Sequence, residues 1–380
     1  MSGARIQLLL SDDWELRGDG SGNMRAIQFA TARRLCDVYE QHGLRGTFNV
    51  EVYQQLVHLR LRDEHPALGE LSDEWERTVL EMLERGHDVQ LHLHPQWSDA
   101  SYDGGRWHLA GAWSLTEYPR EALAEMLGEA KSYLEGLLRR VDPAYRCVSY
   151  RAGSWCIAPS PHALEVLAEL GIVFDMSIVA GAFYDSPEVT LDYRSVDEPF
   201  LPFYPRPDDA RRLSEGTEPI VCVPTNSFRP GVAKQVIRTL VRRARRLPLP
   251  APAALQERYL AASDVPVEQA DYAADYSLNS RQGAGGPAKQ ELSVADLSQL
   301  SYMQMREMLD HVRRRAADSG WPVVPVILEN HTKDIGDFRP LQLFSRHVAE
   351  SEDLEVITAR ELADSLEAGR FPVVSANAAA

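Results

Sequence analysis

Cysteine is scarce in this chain of 380 residues: four occur, Cys36, Cys147, Cys156 and Cys222, far apart and without a Cys-x-x-Cys pair. A disulfide framework is not expected in so long and cysteine-poor a sequence. Three of the four sit in apolar surroundings and read as buried thiols, and none stands beside an evident base that would make it a nucleophile. No apolar run reaches the roughly 18 to 20 residues needed to span a bilayer. Met1-Ser2-Gly3-Ala4-Arg5 leads straight into a strand-like run with no signal-peptide core, which favours a cytoplasmic location. Positive charge is in deficit: the formal net charge of −16 speaks for solubility and against a nucleic-acid surface. No Gly-x-Gly-x-x-Gly follows the first strand, which counts against a doubly wound dinucleotide-binding sheet. No internal repeat is visible, and the sequence gives no oligomeric state.

What is present is a regular alternation of strand and helix. Strand-like runs fall near 5–11, 46–51, 88–94, 146–151, 172–178, 219–223, 323–329 and 354–357. Helical periodicity is clearest over 121–140, where Leu123, Met126, Leu127, Ala130, Tyr133, Leu134 and Leu137 form one apolar stripe. Further helices fit 25–42, 73–85, 160–170, 301–317 and 338–350. Such alternation implies a parallel sheet, and seven or eight strands suggest closure. The expected fold class is α/β, a distorted (β/α)7-8 barrel in a single domain, 1–380. The stretch 206–300 breaks the rhythm and reads as an inserted helical and loop segment, a candidate lid. Within it, Pro230–Arg246 reads as a basic helix, Pro248-Leu249-Pro250-Ala251-Pro252 stops it, and Gly283, Gly285 and Gly286 mark a loop. The plain reading is a solvated insertion packed on the barrel; the sharper one is an anion-recognition element.

Four strand ends carry polar clusters. Val89-Gln90-Leu91-His92-Leu93-His94-Pro95 ends in two histidines that alternation puts on one face. A carboxylate from another strand end would complete a two-histidine, one-carboxylate metal site with open positions for water and substrate. Ile6-Gln7-Leu8-Leu9-Leu10 runs into Ser11-Asp12-Asp13. Cys147-Val148-Ser149-Tyr150 leads into Arg151-Ala152-Gly153-Ser154-Trp155, and Val323–Leu328 into Glu329-Asn330-His331-Thr332-Lys333-Asp334. Catalytic groups gather at the C-terminal ends of barrel strands because the loops there share one mouth.

This order of Asp-Asp, Gly-His with a histidine six residues after the glycine, Arg before an aromatic, and a late His resembles the polysaccharide deacetylases, carbohydrate esterase family 4 with its NodB-homology domain. Gly86-His87-Asp88-Val89-Gln90-Leu91-His92 matches the family's second motif up to its first histidine, and Gly46-Thr47-Phe48-Asn49-Val50 resembles its second strand. The likeness covers roughly 5–180 and 320–360 and is that of a divergent member. Leu10-Ser11-Asp12-Asp13-Trp14 stands where the family has Thr-Phe-Asp-Asp-Gly, and Gln96 stands where its second metal histidine falls. His94 would replace that ligand, with Asp99 the weaker candidate.

The resemblance implies roles. Asp13, His92 and His94 would hold a divalent metal, zinc suiting the set best, and Asp12 would be the general base. Arg151 would orient and charge-balance Asp12. His331, with an ordinary pKa near 6.5, would protonate the leaving amine, oriented by Asp334 or Asp175. Trp155 would wall the pocket, and Asp175, Asn226 and Trp97 are placed with it at the substrate mouth. His87 is read as structural. The activity implied is removal of an acetyl or other acyl group from an N-acetylated sugar or glycoconjugate, within the cytoplasm and on a precursor. The rivals are an amidohydrolase for a cyclic imide or ureide, and a non-catalytic glycan-binding barrel.

Overall fold

The structure is a computed structural model that describes residues 4–228 and 293–377. Among them, eight strands join in one parallel sheet: β1 (Arg5–Trp14), β2 (Thr47–Glu51), β3 (Asp88–Leu93), β4 (Ser149–Ala152), β5 (Phe174–Asp175), β6 (Val221–Cys222), β7 (Val323–His331) and β8 (Leu354–Ile357). Each falls on a run expected from sequence. The order is β6-β5-β4-β3-β2-β1-β7, with β8 also on β1. β1 is the axis of the sheet. Along Arg5–Asp13 it pairs β7; opposite, Ile6–Leu9 pairs β8 and Ser11–Trp14 pairs β2. Beyond β6, Thr225 bridges both Val179 and Ile327, and the Asn226 amide donates to the Ile327 carbonyl at 2.9 Å. That contact curls the sheet into the expected distorted barrel.

Helices α1 (Thr31–Glu40), α2 (Val52–Leu61), α3 (Pro66–Glu84), α4 (Arg120–Leu138), α5 (Ala163–Glu169), α6 (Tyr302–Ser319), α7 (Arg339–Ala349) and α8 (Ala359–Glu367) wrap it. α2 and α8 escape the sequence reading for different reasons. α2 buries Val52, Tyr53, Gln54, Gln55, Val57 and His58, so it has no one-sided stripe. α8 opens with a Thr358–Glu361 capping box, a Thr-x-x-Glu signal that stands in the sequence. No helix among the described residues is long and apolar enough to cross a membrane. The stretch 206–300 contains barrel strand β6, so it is not wholly an insertion. Ser227–Phe228 pairs antiparallel with Ser293–Val294. The basic stretch 230–246, the proline run after it and the glycine-rich loop lie outside the described residues.

Alternation along β1 sorts its side chains. Ile6, Leu8 and Leu10 join the large core under the helices. Leu9 joins a second core inside the barrel with Val148, Phe174, Met176, Val221, Val223 and Ile327. The inward series then turns polar: Ser11, Asp13, Glu15. Asp12 lies on the other face. Its carboxylate accepts from the Tyr39 hydroxyl at 3.0 Å and from the Asn330 amide at 2.6 Å, tying β1 to α1 and β7. Asp12 is fully buried, and burial lifts its carboxyl from the ordinary 3.8 to about 7. A carboxyl raised in the folded state binds its proton more tightly there than in the unfolded chain. Between about pH 4 and pH 7 stability should therefore fall as pH rises. Asp12→Asn should keep the fold and flatten that slope in melting curves taken across this window. Parallel slopes for the two proteins would contradict it.

Candidate active site

Three side chains from the ends of β1 and β3 meet at the barrel mouth. His92 Nε2 lies 2.9 Å from Glu15 Oε2, and His94 Nε2 is in still closer contact with the same oxygen. All three residues are buried. Sheet register sets His92: it pairs with Arg151, and its Nδ1 lies 2.8 Å from the Arg151 carbonyl. Nδ1 held by that carbonyl directs Nε2 at the mouth, the usual support of a metal-binding histidine. The other oxygen of Glu15 is held by the Lys333 ammonium.

A second group adjoins the first. Asp13 accepts from Asn49 Nδ2 at 2.8 Å, and its Oδ2 lies 3.7 Å from His331 Nε2. Arg151, fully buried, donates to Glu329 Oε1 at 2.6 Å and to Ser11 Oγ at 3.0 Å, with its Nε 4.0 Å from Asp13. Trp155 Nε1 also donates to Glu329 Oε1, at 2.5 Å, and its ring meets His331 edge-on at 6.0 Å. Ser154 and Trp155 hold φ of 54° and 58°, a left-handed turn that brings the indole back over the barrel end. His331 Nδ1 lies 3.0 Å from Asp296 Oδ2.

Charge makes these groups unequal. Burial would raise Asp13, but Arg151, His92 and His331 outweigh it and hold its carboxyl below the ordinary range. Burial would likewise raise Glu15, but His94 and Lys333 hold it well below. Burial opposes the charged form of His331, yet Asp296 lifts it to about 10. Glu329 rises to about 7, chiefly through burial. Asp13, Glu15, Asp296, Glu329 and Asp334 are all buried here, against two permanent cations, Arg151 and Lys333. The donor chemistry fits a divalent ion: two imidazoles and a carboxylate, Glu15, His92 and His94, whose ligand atoms lie within 4.8 Å of one another.

The sequence expectations land unevenly. His92 and His94 come together as expected, but the carboxylate between them is Glu15 and not Asp13, which stands one pleat back beside His331. Asp12 faces Tyr39 and Asn330, away from the histidines, because adjacent residues of a strand point to opposite faces. Arg151 accordingly pairs with Glu329 and not with Asp12. Asp296, and neither Asp334 nor Asp175, contacts the His331 ring nitrogen. Asp175 is buried against Ser177 and Cys222. Asp99 is exposed, at the end of a turn. Trp97 is buried and packs on Trp107 and His58. Asn226 is buried at the barrel end, with neither Oδ1 nor Nδ2 of its side chain hydrogen-bonded. His87 is buried beneath β2, its Nδ1 accepting from the Gly46 amide at 3.0 Å, a structural place. Glu15 and Glu329 escaped notice although the spacings Asp13-x-Glu15 and Glu329-x-His331 put each on the face of a residue already singled out. Nothing in the sequence marks Asp296, which lies far from the other site residues along the chain.

No protein-family model matches the sequence, and no curated protein matches it. Among solved structures, the chain is similar to a Mycobacterium smegmatis protein assigned to the polysaccharide deacetylases, with 14% identity and a TM-score of 0.50, covering 98% of this chain and 94% of that one. A Pseudomonas aeruginosa PAO1 protein with the same assignment aligns at 12% identity and TM-score 0.47 over 97% of this chain and 93% of its own. PuuE allantoinase aligns at 11% identity and TM-score 0.47, over 96% and 91%. At identities this low the likeness concerns the fold. The described residues form a barrel of the polysaccharide deacetylase type.

Proposed function

We propose that the protein is a metal-dependent hydrolase of carbon–nitrogen bonds, a divergent deacetylase acting on an N-acylated sugar or glycoconjugate. The observation that supports it is the meeting of Glu15, His92 and His94 on one point beside the pair Asp13 and His331. Glu15, His92 and His94 would hold the ion, zinc suiting two imidazoles and a carboxylate. A bound divalent ion polarises an acyl oxygen and acidifies water. Asp13, kept ionised by Arg151, takes the proton of the attacking water as its oxygen adds to the acyl carbon. His331, held protonated by Asp296, gives its proton to the departing nitrogen as the C–N bond breaks, yielding a carboxylic acid and an amine. Trp155 offers an indole edge to a sugar ring, and the unpaired amide of Asn226 offers a donor and an acceptor to substrate polar groups. Asp12 keeps the structural place described above, and Asp13 takes the role that the resemblance gives to its neighbour.

One observation favours a second reading. The Lys333 ammonium already neutralises Glu15, which would suit an amidohydrolase for a cyclic imide or ureide working without an ion. Chelation separates the two. Deacylation abolished by chelator and restored by zinc supports the first; turnover indifferent to chelator supports the second.

Glu15→Gln and His92→Ala should each lose bound zinc, measured by elemental analysis. Asp13→Asn should keep the ion while kcat falls by roughly 10²–10⁴-fold, the usual range for a proton-transfer group. Loss of zinc from Asp13→Asn and its retention in Glu15→Gln would restore Asp13 as the ligand. The alkaline limb of the pH–rate profile follows deprotonation of His331. Asp296→Asn should therefore move that limb to lower pH, toward the ordinary histidine value, because Asp296 is the largest charge raising His331. An unmoved limb would remove His331 from the acid role.

A further inference from the structure

His94 lies past the last residue of β3, at φ −103° and ψ 103°, where the sheet no longer fixes its backbone and ring. Three other residues do. The Glu51 side chain, which also caps α2, accepts the His94 amide at 3.0 Å. Gly153 lies close to the ring; a Cβ there would stand 2.8 Å from His94 Cγ and Nδ1. Gln96, itself fully buried, brings its side-chain nitrogen to 3.0 Å from His94 Nδ1 and to 3.3 Å from the Gly18 carbonyl. The amide oxygen of Gln96 is buried with no partner.

This arrangement has a chemical consequence. When the amide nitrogen of Gln96 donates to Nδ1, the ring proton of neutral His94 sits on Nε2 and is directed at Glu15. That nitrogen then has no lone pair to offer an ion. With the amide turned over, its oxygen accepts from Nδ1–H and the Nε2 lone pair is free. A primary amide carries both a donor and an acceptor on one rotating group. We propose that Gln96 is a positioning residue that selects the tautomer of His94, and that loading of the ion on Glu15, His92 and His94 is coupled to a turn of its amide. The inference rests on the ion reading given above. It makes Gln96, at the position where the resemblance leads one to look for a ligand, the outer support of the ligand next door. Such supports typically contribute 10–100-fold in metal affinity.

The test uses the full chain and zinc alone. Long-range proton–nitrogen NMR of His94 should show an Nε2–H ring without zinc and an Nδ1–H ring with zinc bound. Gln96→Met removes both hydrogen-bonding ends and should weaken zinc by 10–100-fold in competition with a chromophoric chelator. Gln96→Glu keeps the acceptor and should restore affinity to within a few-fold of wild type. If the wild-type chain takes up no zinc, the ion reading fails and this inference with it. If the wild type binds zinc and Gln96→Met binds it equally, or Gln96→Glu is no better than Gln96→Met, or His94 keeps one tautomer throughout, the inference alone is overturned. Should Gln96→Met fail to fold, the wild-type tautomers and the Gln96→Glu affinity still decide.

Discussion

A guanidinium buried inside the barrel is the constraint that orders everything near it. Arg151 has no access to solvent, and an unpaired charge in such a place would cost several kcal/mol. Its partners are therefore obligatory. Glu329 supplies a carboxylate from β7, Ser11 a hydroxyl from β1, and Asp13 a further negative charge nearby. Its backbone carbonyl meets the His92 ring. Strands β1, β3, β4 and β7 are thereby cross-linked through one side chain and its own peptide. The same contacts aim the histidine, hold Asp13 ionised and bring Trp155 to Glu329.

Interior polarity of this kind is poorly placed for stability alone, since apolar packing would fill a barrel end at lower desolvation cost. The lower half of the barrel does just that, with Leu9, Phe174, Met176, Val223 and Ile327. The change from apolar to ionic occurs within one strand, between Leu9 and Ser11. It marks where the barrel ceases to be a core and becomes a vessel.

The fold was legible because its signals are repetitive. Eight apolar runs at helix-length intervals leave little choice beyond a parallel barrel, and each run proved to be a strand. The candidate site was legible to within one pleat of the side chains that the structure brings together. His92, His94, Arg151 and His331 announce themselves at strand ends, but motif likeness gave the first strand two adjacent acids where geometry uses alternate ones. Applying the two-residue period to Asp13 would have found Glu15, and applying it to His331 would have found Glu329. Asp296 lies beyond any such rule. It reaches His331 only through tertiary pairing around Ser293–Val294, which no local pattern encodes. Gln96 was visible as a departure from the family, but its contact with His94 depends on how a turn folds back.

The neighbouring acids Asp12 and Asp13 also bear on fidelity of assembly. A strand that pairs one residue out of step exchanges its faces. In β1 a slip that carries Asp12 into the place of Asp13 would leave a carboxylate near Arg151. Two residues further on, however, the indole of Trp14 would replace the carboxylate of Glu15. Misassembled molecules would keep an acid where one is needed and lose the group the histidines share. Their ring nitrogens would then face an indole, with no anion to gather them. The tandem acid thus conceals an error that Glu15 exposes, and the histidine pair serves as a gauge of register for the central strand.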